Sequence, residues 1–175
     1  TLERHDELER SREYFEGMAE DAGVALTIKV GALGIEADPI LFRRAVSNLV
    51  SNAIVHTPRG SFIHLSAFVL DGKTRVTVEN GGPGIPAEHL PHIFERFYRG
   101  DAARAPSLYS AGLGLAIVCA IMRLHAGDAG VTSEAGEKTV FYLTFPGFTP
   151  RSKRRSRLRK RSKQRGAATS VLGGK

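Results

Sequence analysis

The stretch SFIHLSAFVLDGKTRVTVENGGPGIP, residues 61–86, carries the reading that decides the fold. Ile63, Leu65, Ala67 and Val69 alternate with residues of other character, Asp71-Gly72 supplies a tight turn, and Val76 and Val78 alternate on the return. This pattern predicts a β-hairpin. A glycine-rich loop, Asn80-Gly-Gly-Pro-Gly-Ile-Pro86, follows it directly. Three glycines in five residues let a backbone come close to a flat or charged ligand. The same residues also suit an ordinary loop from a strand to a helix.

On the N-terminal side, Asp38-Pro39 reads as a helix start, with the acid as N-cap and proline in the first turn. Phe42, Ala45, Val46, Leu49, Val50 and Ala53 then recur at helical spacing. Val24, Leu26, Ile28 and Val30 alternate as a strand before it. Leu2 to Ala22 reads as a charged helix whose thin seam (Leu8, Phe15, Met18, Ala22) calls for a partner helix outside the chain. On the C-terminal side, Pro86 to Phe97 is expected to form a short helix or turn, and Tyr98 to Ala111 a loop without periodicity. Leu113, Ile117, Ala120, Ile121 and Leu124 mark another helix, and residues 130–134 and 139–145 two strands joined at Gly136. Helices and strands that do not strictly alternate predict an α+β fold, a two-layer α/β sandwich with a mixed sheet packed on helices.

Composition narrows the classes. The chain has 175 residues, 42% hydrophobic and 25% charged, with a mean hydropathy of −0.16. One cysteine, Cys119, excludes a disulfide-stapled domain. The uncharged run from Ala105 to Met122 is broken by Pro106, Gly112 and Gly114 and does not read as a membrane span. Without a signal peptide at its start, and opening on Thr1, the chain reads as a cytoplasmic piece of a longer protein. The net charge of +7 conceals a division, because residues 151–175 hold 11 of the 25 bases and no acid. The remainder has 14 bases against 18 acids, a net of −4. The basic tail is expected to be disordered, either as a solvated extension or as a segment that binds nucleic acid or an anionic membrane.

Three constellations are candidates for chemistry. Asn48, Asn52 and His56 stand four residues apart, so they share a stripe beside the apolar face of the helix. A carboxamide oxygen can ligate a hard cation such as Mg²⁺, and a lone asparagine can equally well hydrogen-bond a neighbouring loop. The second constellation is the glycine loop from Asn80. The third is Gly112-Leu-Gly-Leu-Ala-Ile-Val118 at a helix start, where free N–H groups form an anion site. It is not a dinucleotide fingerprint, because no strand immediately precedes it.

In order, the Asn helix, the glycine loop, Phe94-Glu-Arg-Phe97-Tyr98, an irregular segment and Gly-Leu-Gly-Leu resemble the catalytic ATP-binding domain of sensor histidine kinases. They correspond to the N, G1, F and G2 boxes of that family, over residues 24–146. Val-Glu-Asn80, Phe94 to Arg99 and Leu-His125-Ala-Gly127 are most similar to copper- and silver-responsive sensors. The resemblance implies the left-handed-crossover ATP fold of the gyrase, Hsp90, kinase and MutL superfamily, with ATP and Mg²⁺ as cofactors. It divides the chain into residues 1–22, the end of a dimerisation helix, residues 23–148, the catalytic domain, and residues 149–175, the tail. It makes Asn52 the Mg²⁺ ligand, Asn48 a phosphate or metal-water contact, and His56 a residue against adenine. Asn80 would read the adenine amino group, with Gly82, Gly84 and Ile85 shaping the pocket. Gly112, Leu113, Gly114 and Leu115 would receive phosphates, with Phe97, Tyr98, Arg99 and Arg104 beside them.

Three positions depart from the family: Asn80 replaces an Asp, Val55 a Lys or Arg, and Ser110 a Gly. The phosphoacceptor His, which precedes an acid and then Thr-Pro, is absent, so His5, His64, His89, His92 and His125 read as surface or packing residues. The implied partners are the protein's own dimerisation domain in a homodimer and a response regulator. One alternative is a gyrase- or MutL-like hydrolase, whose general-base Glu would stand at Asn48. Another is a degenerate domain acting through its basic tail.

Overall fold

The computed structural model describes residues 3–31, 35–98 and 112–147, with side chains from residue 11 onward. Its elements are α1 (Glu3–Ala22), β1 (Ala25–Val30), α2 (Pro39–His56), β2 (Phe62–Leu70), β3 (Lys73–Gly81), α3 (Gly114–Leu124), β4 (Asp128–Glu134) and β5 (Lys138–Phe145). The strands form one sheet in the order β1-β2-β3-β5-β4. β1 and β2 are parallel, connected through α2, and every other pair is antiparallel, so the sheet is mixed. The helices pack on one face of it. This is the expected two-layer sandwich.

Period-two patterning explains which face is covered. Ile63, Leu65 and Ala67 of β2, Val76 and Val78 of β3, and Phe141, Leu143 and Phe145 of β5 are buried against the helices. All six apolar positions read on α2 are buried there as well. The helix starts where its sequence says: the Asp38 carboxylate accepts from the Ile40 and Leu41 N–H groups, both at 2.9 Å, and Pro39 opens the first turn. Phe42 lies with its ring centroid 5.7 Å from that of Phe145, tying this helix to the sheet.

Three expectations are corrected. The thin seam of α1 does find a partner within the chain, because Phe15 and Ala19 are buried in the core and the helix packs on α2 and β1. On α3 the buried residues are Val118, Ile121 and Met122, whereas Leu124 is 75% exposed. An 11-residue helix that is apolar almost all round does not reveal its core face by periodicity. Val69, which continues the alternation of β2, is exposed, in the part of the strand that runs past the end of β1 at Val30 opposite Ala67. Residues 86–98 form turns rather than a helix, with Ile93 and Phe94 packed against the core. The expected loop from residue 99 to 111 and the basic tail lie outside the described residues, as do Arg99, Arg104 and Ser110. Among the described residues no helix is long and apolar enough to cross a membrane.

Candidate functional site

The second half of α2, the end of β3 and the start of α3 converge. Thr57 closes α2 by donating its Oγ1 hydrogen to the Ala53 carbonyl at 2.6 Å, which fixes the turn bearing His56. The chain returns to this point through Gly82: a side chain there would lie 3.2 Å from the His56 carbonyl oxygen and 3.9 Å from Asn80 Nδ2. The missing side chain therefore lets the glycine loop close on the end of α2. Partial burial pushes the His56 imidazole below its usual 6.5, although the residue remains exposed at the surface.

Asn80 lies within β3, one residue before its end, rather than in the loop itself. It is buried, and its Nδ2 donates to the Gly81 carbonyl over a long 3.4 Å. Gly84 has φ +76, and a Cβ there would stand 2.7 Å from the Glu134 carbonyl oxygen, so only glycine lets the loop lie against the end of β4. Ile85 is held beside it, its N–H donating to Ser133 Oγ at 2.8 Å. Ser133 in turn contacts Thr139 Oγ1 at 2.9 Å, and Thr139 is the register partner of Asn80. Ser133 and Thr139 were not candidates from sequence. Their roles come from strand register, which no local motif reports.

The start of α3 is bare. Its N-cap residue, Leu113, has no side chain able to cap, so the first-turn N–H groups are not satisfied by the helix or by a cap. Gly112 has φ +66 and accepts the Phe97 N–H at its carbonyl, 2.9 Å away. Phe97 is itself left-handed, with φ 64, and 71% exposed, while Tyr98 turns its hydroxyl to His89 Nδ1 at 2.7 Å. The two ends of the segment from 98 to 112 are thus pinned together.

Gly114, the first residue of α3, faces Asn48: a Cβ there would sit 3.9 Å from Asn48 Oδ1. The Asn48 Nδ2 group is buried without a hydrogen-bond partner. The uncapped N–H groups at the start of α3, with the Asn48 carboxamide oxygen beside Gly114, make a donor surface that suits an anion such as phosphate. Asn52 lies one turn further along the same stripe and is half-buried, and Leu115 packs against the core. The structure therefore brings Asn48, Asn80, Gly82, Gly112 and Gly114 to one end of the sandwich, with His56 at its rim.

Comparison with known proteins gives the class to which this fold belongs. Residues 37–148 match the family described as histidine kinase-, DNA gyrase B-, and HSP90-like ATPase, and the chain belongs to that family. Within it the likeness is to sensor kinases rather than to gyrase or MutL. The chain is 46% identical over 146 residues to the sensor protein IrlS of Burkholderia pseudomallei, covering 83% of the chain and 31% of IrlS. It is 43% identical over 141 residues to the sensor histidine kinase CusS of Escherichia coli, covering 81% of the chain and 29% of CusS. The chain thus spans about a third of the length of these relatives. Among solved structures, the mycobacterial sensor histidine kinase MprB superposes with a TM-score of 0.73 at 27% identity, covering 82% of this chain and 95% of that one.

Proposed function

We propose that this chain is the ATP-binding catalytic domain of a sensor histidine kinase, which passes the γ-phosphate of ATP to a histidine on the protein's own dimerisation domain. The uncapped, glycine-opened start of α3 beside Asn48 is the observation that carries the reading. In transfer, the acceptor imidazole nitrogen forms a bond to the γ-phosphorus, the bond to the bridging oxygen breaks, and ADP leaves. The chain's part is to hold the triphosphate. The N–H groups of residues 114–116 donate to phosphate oxygens, Asn48 beside them is a phosphate or metal-water contact, and Asn80 accepts from the adenine amino group. The His56 ring edge and Ile85 border the base.

The donor set also fits Mg²⁺. Neutral amide oxygens are hard ligands, and Mg²⁺ is usually held by substrate phosphates with one or two protein groups. Asn52 would be its ligand, and the ion would neutralise charge on the phosphates. Asn48 speaks against a hydrolase, because an amide at that position cannot take a proton from water.

The same reading makes the parent protein a homodimer with a response regulator as its partner. It also makes the chain the cytoplasmic part of a sensor anchored in the inner membrane. Residues 1–22 would be the end of its dimerisation helix. The motifs around Asn80, Phe97 and His125, with the likeness to CusS, support a copper- or silver-responsive type.

Incubation with radiolabelled ATP and Mg²⁺ tests this. The chain alone is expected to remain unlabelled and to label a supplied dimerisation domain that carries the acceptor. Acid-labile label on the chain itself, or phosphate release without transfer, would overturn the assignment.

A further inference from the structure

The polar side chains at the end of β3 are neutral, and each can both donate and accept. Asn80 continues the parity of Val76 and Val78, which face the helices, and it is buried. Its register partner on β5, Thr139, is buried on the same face. Glu79, the adjacent carboxylate, belongs to the opposite face of the sheet. There its Oε1 lies 3.9 Å from Lys138 Nζ, and it lines a cavity with Lys29 and His64. Glu79 therefore does not set the charge around Asn80.

The Asn80 amide turns its nitrogen toward the glycine loop. A Cβ on Gly82 would stand 3.9 Å from Nδ2, and the glycine puts no side chain there. Nδ2 carries two hydrogens, and its long bond to the Gly81 carbonyl, 3.4 Å, engages one of them weakly. The second hydrogen is left for a ligand, and Oδ1 keeps its lone pairs. The Thr139 hydroxyl is equally two-sided, because in its 2.9 Å contact with Ser133 Oγ either oxygen could be the donor.

Given the nucleotide reading of this site, we propose that it takes 6-oxopurine nucleoside triphosphates as well as ATP. Adenine shows a 6-amino donor beside an N1 acceptor. A 6-oxopurine shows the reverse, an O6 acceptor beside an N1–H. A carboxylate facing this edge would reject the second pattern, because it cannot donate and its charge opposes O6. Asn80 meets the first pattern with Oδ1 and the second with Nδ2, and Thr139 beside it reverses its hydroxyl to match. Both sets are hydrogen bonds between neutral groups, which contribute alike, so little separates the two bases. Strong rejection needs a buried polar group that the wrong base leaves unpaired. A two-ended amide is left unpaired by neither.

Calorimetric titration of the full chain with ATP and with inosine triphosphate, each with Mg²⁺, tests the proposal. These two nucleotides differ only along this edge of the base. Inosine triphosphate is expected to bind within about tenfold of ATP. In Asn80→Asp the gap should widen at least about tenfold, with ATP bound more tightly and inosine triphosphate less. The comparison in the parent needs no variant, so it stands even where a buried acid upsets the fold. A parent that binds inosine triphosphate more weakly than expected overturns the proposal, and so does a gap that folded Asn80→Asp leaves unchanged. If ATP itself does not bind, the nucleotide reading falls, and the proposal with it.

Discussion

His125 Nε2 accepts the backbone N–H of Asp38 at 3.0 Å, joining two residues 87 positions apart. The other ring nitrogen, Nδ1, lies 2.7 Å from the Ile121 carbonyl oxygen, so it carries the proton and the imidazole is neutral. Its ring also meets Phe145 edge-on at 6.0 Å. The C-cap of α3 and the N-cap of α2 are thereby one joint, which aligns the two helices whose opposite ends frame the proposed nucleotide site.

His125→Ala removes both bonds and the ring contact. Because the bond to Asp38 is exposed, water replaces part of it, and the expected cost is about 1 kcal/mol. Thermal unfolding should show a fall of roughly 2–4 °C. An unchanged midpoint would mean that the joint adds nothing to stability.

Gly112 and Gly136 allow a paired test of the pinned segment. Both have positive φ, +66 and +79. A Cβ on Gly112 would lie 2.9 Å from Phe97 Cα, whereas one on Gly136 would meet nothing within 4 Å. Alanine at either position pays for the left-handed conformation, by about 1 kcal/mol at Gly136. Gly112→Ala must also push Phe97 away, and should cost up to about 3 kcal/mol and weaken ATP binding. Equal losses in chemical denaturation would show that the contact at Phe97 yields freely.

Much of this architecture was legible because local signals agreed with one another. α2 has a cap, a proline and a one-sided apolar face, and every one of its six expected core residues is buried. The misses have a common cause in tertiary neighbours. Val69 continues the alternation of β2, but it lies past the end of β1 and is exposed. Leu124 fits a helical stripe, but α3 is apolar on nearly every side, and its packing on β4 and α2 selects Met122 instead. At the site, the order of the motifs was readable. The support of Ile85 by Ser133 was not, because it depends on the pairing of β4 with β5.

His56 should leave a mark on pH dependence. Burial lowers its folded-state pKa below 6.5, so as pH falls the unfolded chain takes up the proton first. Its contribution to stability is therefore present above pH 6.5 and is lost as pH falls through 6.5 toward the folded pKa. His56→Phe keeps a ring and removes the proton, so denaturation midpoints measured across that window should decline less steeply than in the parent. Parallel profiles would show that the ring titrates as freely in the fold as outside it.

Asn80 is where physical chemistry and family pattern pull apart. Adenine presents its amino group as a donor, and the residue facing it must accept. With Nδ2 turned to the Gly81 carbonyl, Asn80 keeps its oxygen for that purpose. A carboxylate would accept through a charged oxygen, and hydrogen bonds to charged groups contribute about 1.5–3 kcal/mol against about 1 for neutral pairs. Two effects work against the acid. The position is buried, which penalises charge, and Asp has no N–H to give the Gly81 carbonyl 3.4 Å away. The balance predicts that Asn80→Asp tightens ATP only about three- to tenfold. Asn80→Ala should weaken ATP instead, leaving the amino group without a protein acceptor. Calorimetric titration with a non-hydrolysable ATP analogue reads both variants. If Asn80→Ala binds as tightly as the parent, this residue does not read adenine, and the base must lie elsewhere along the cleft between α2 and the glycine loop.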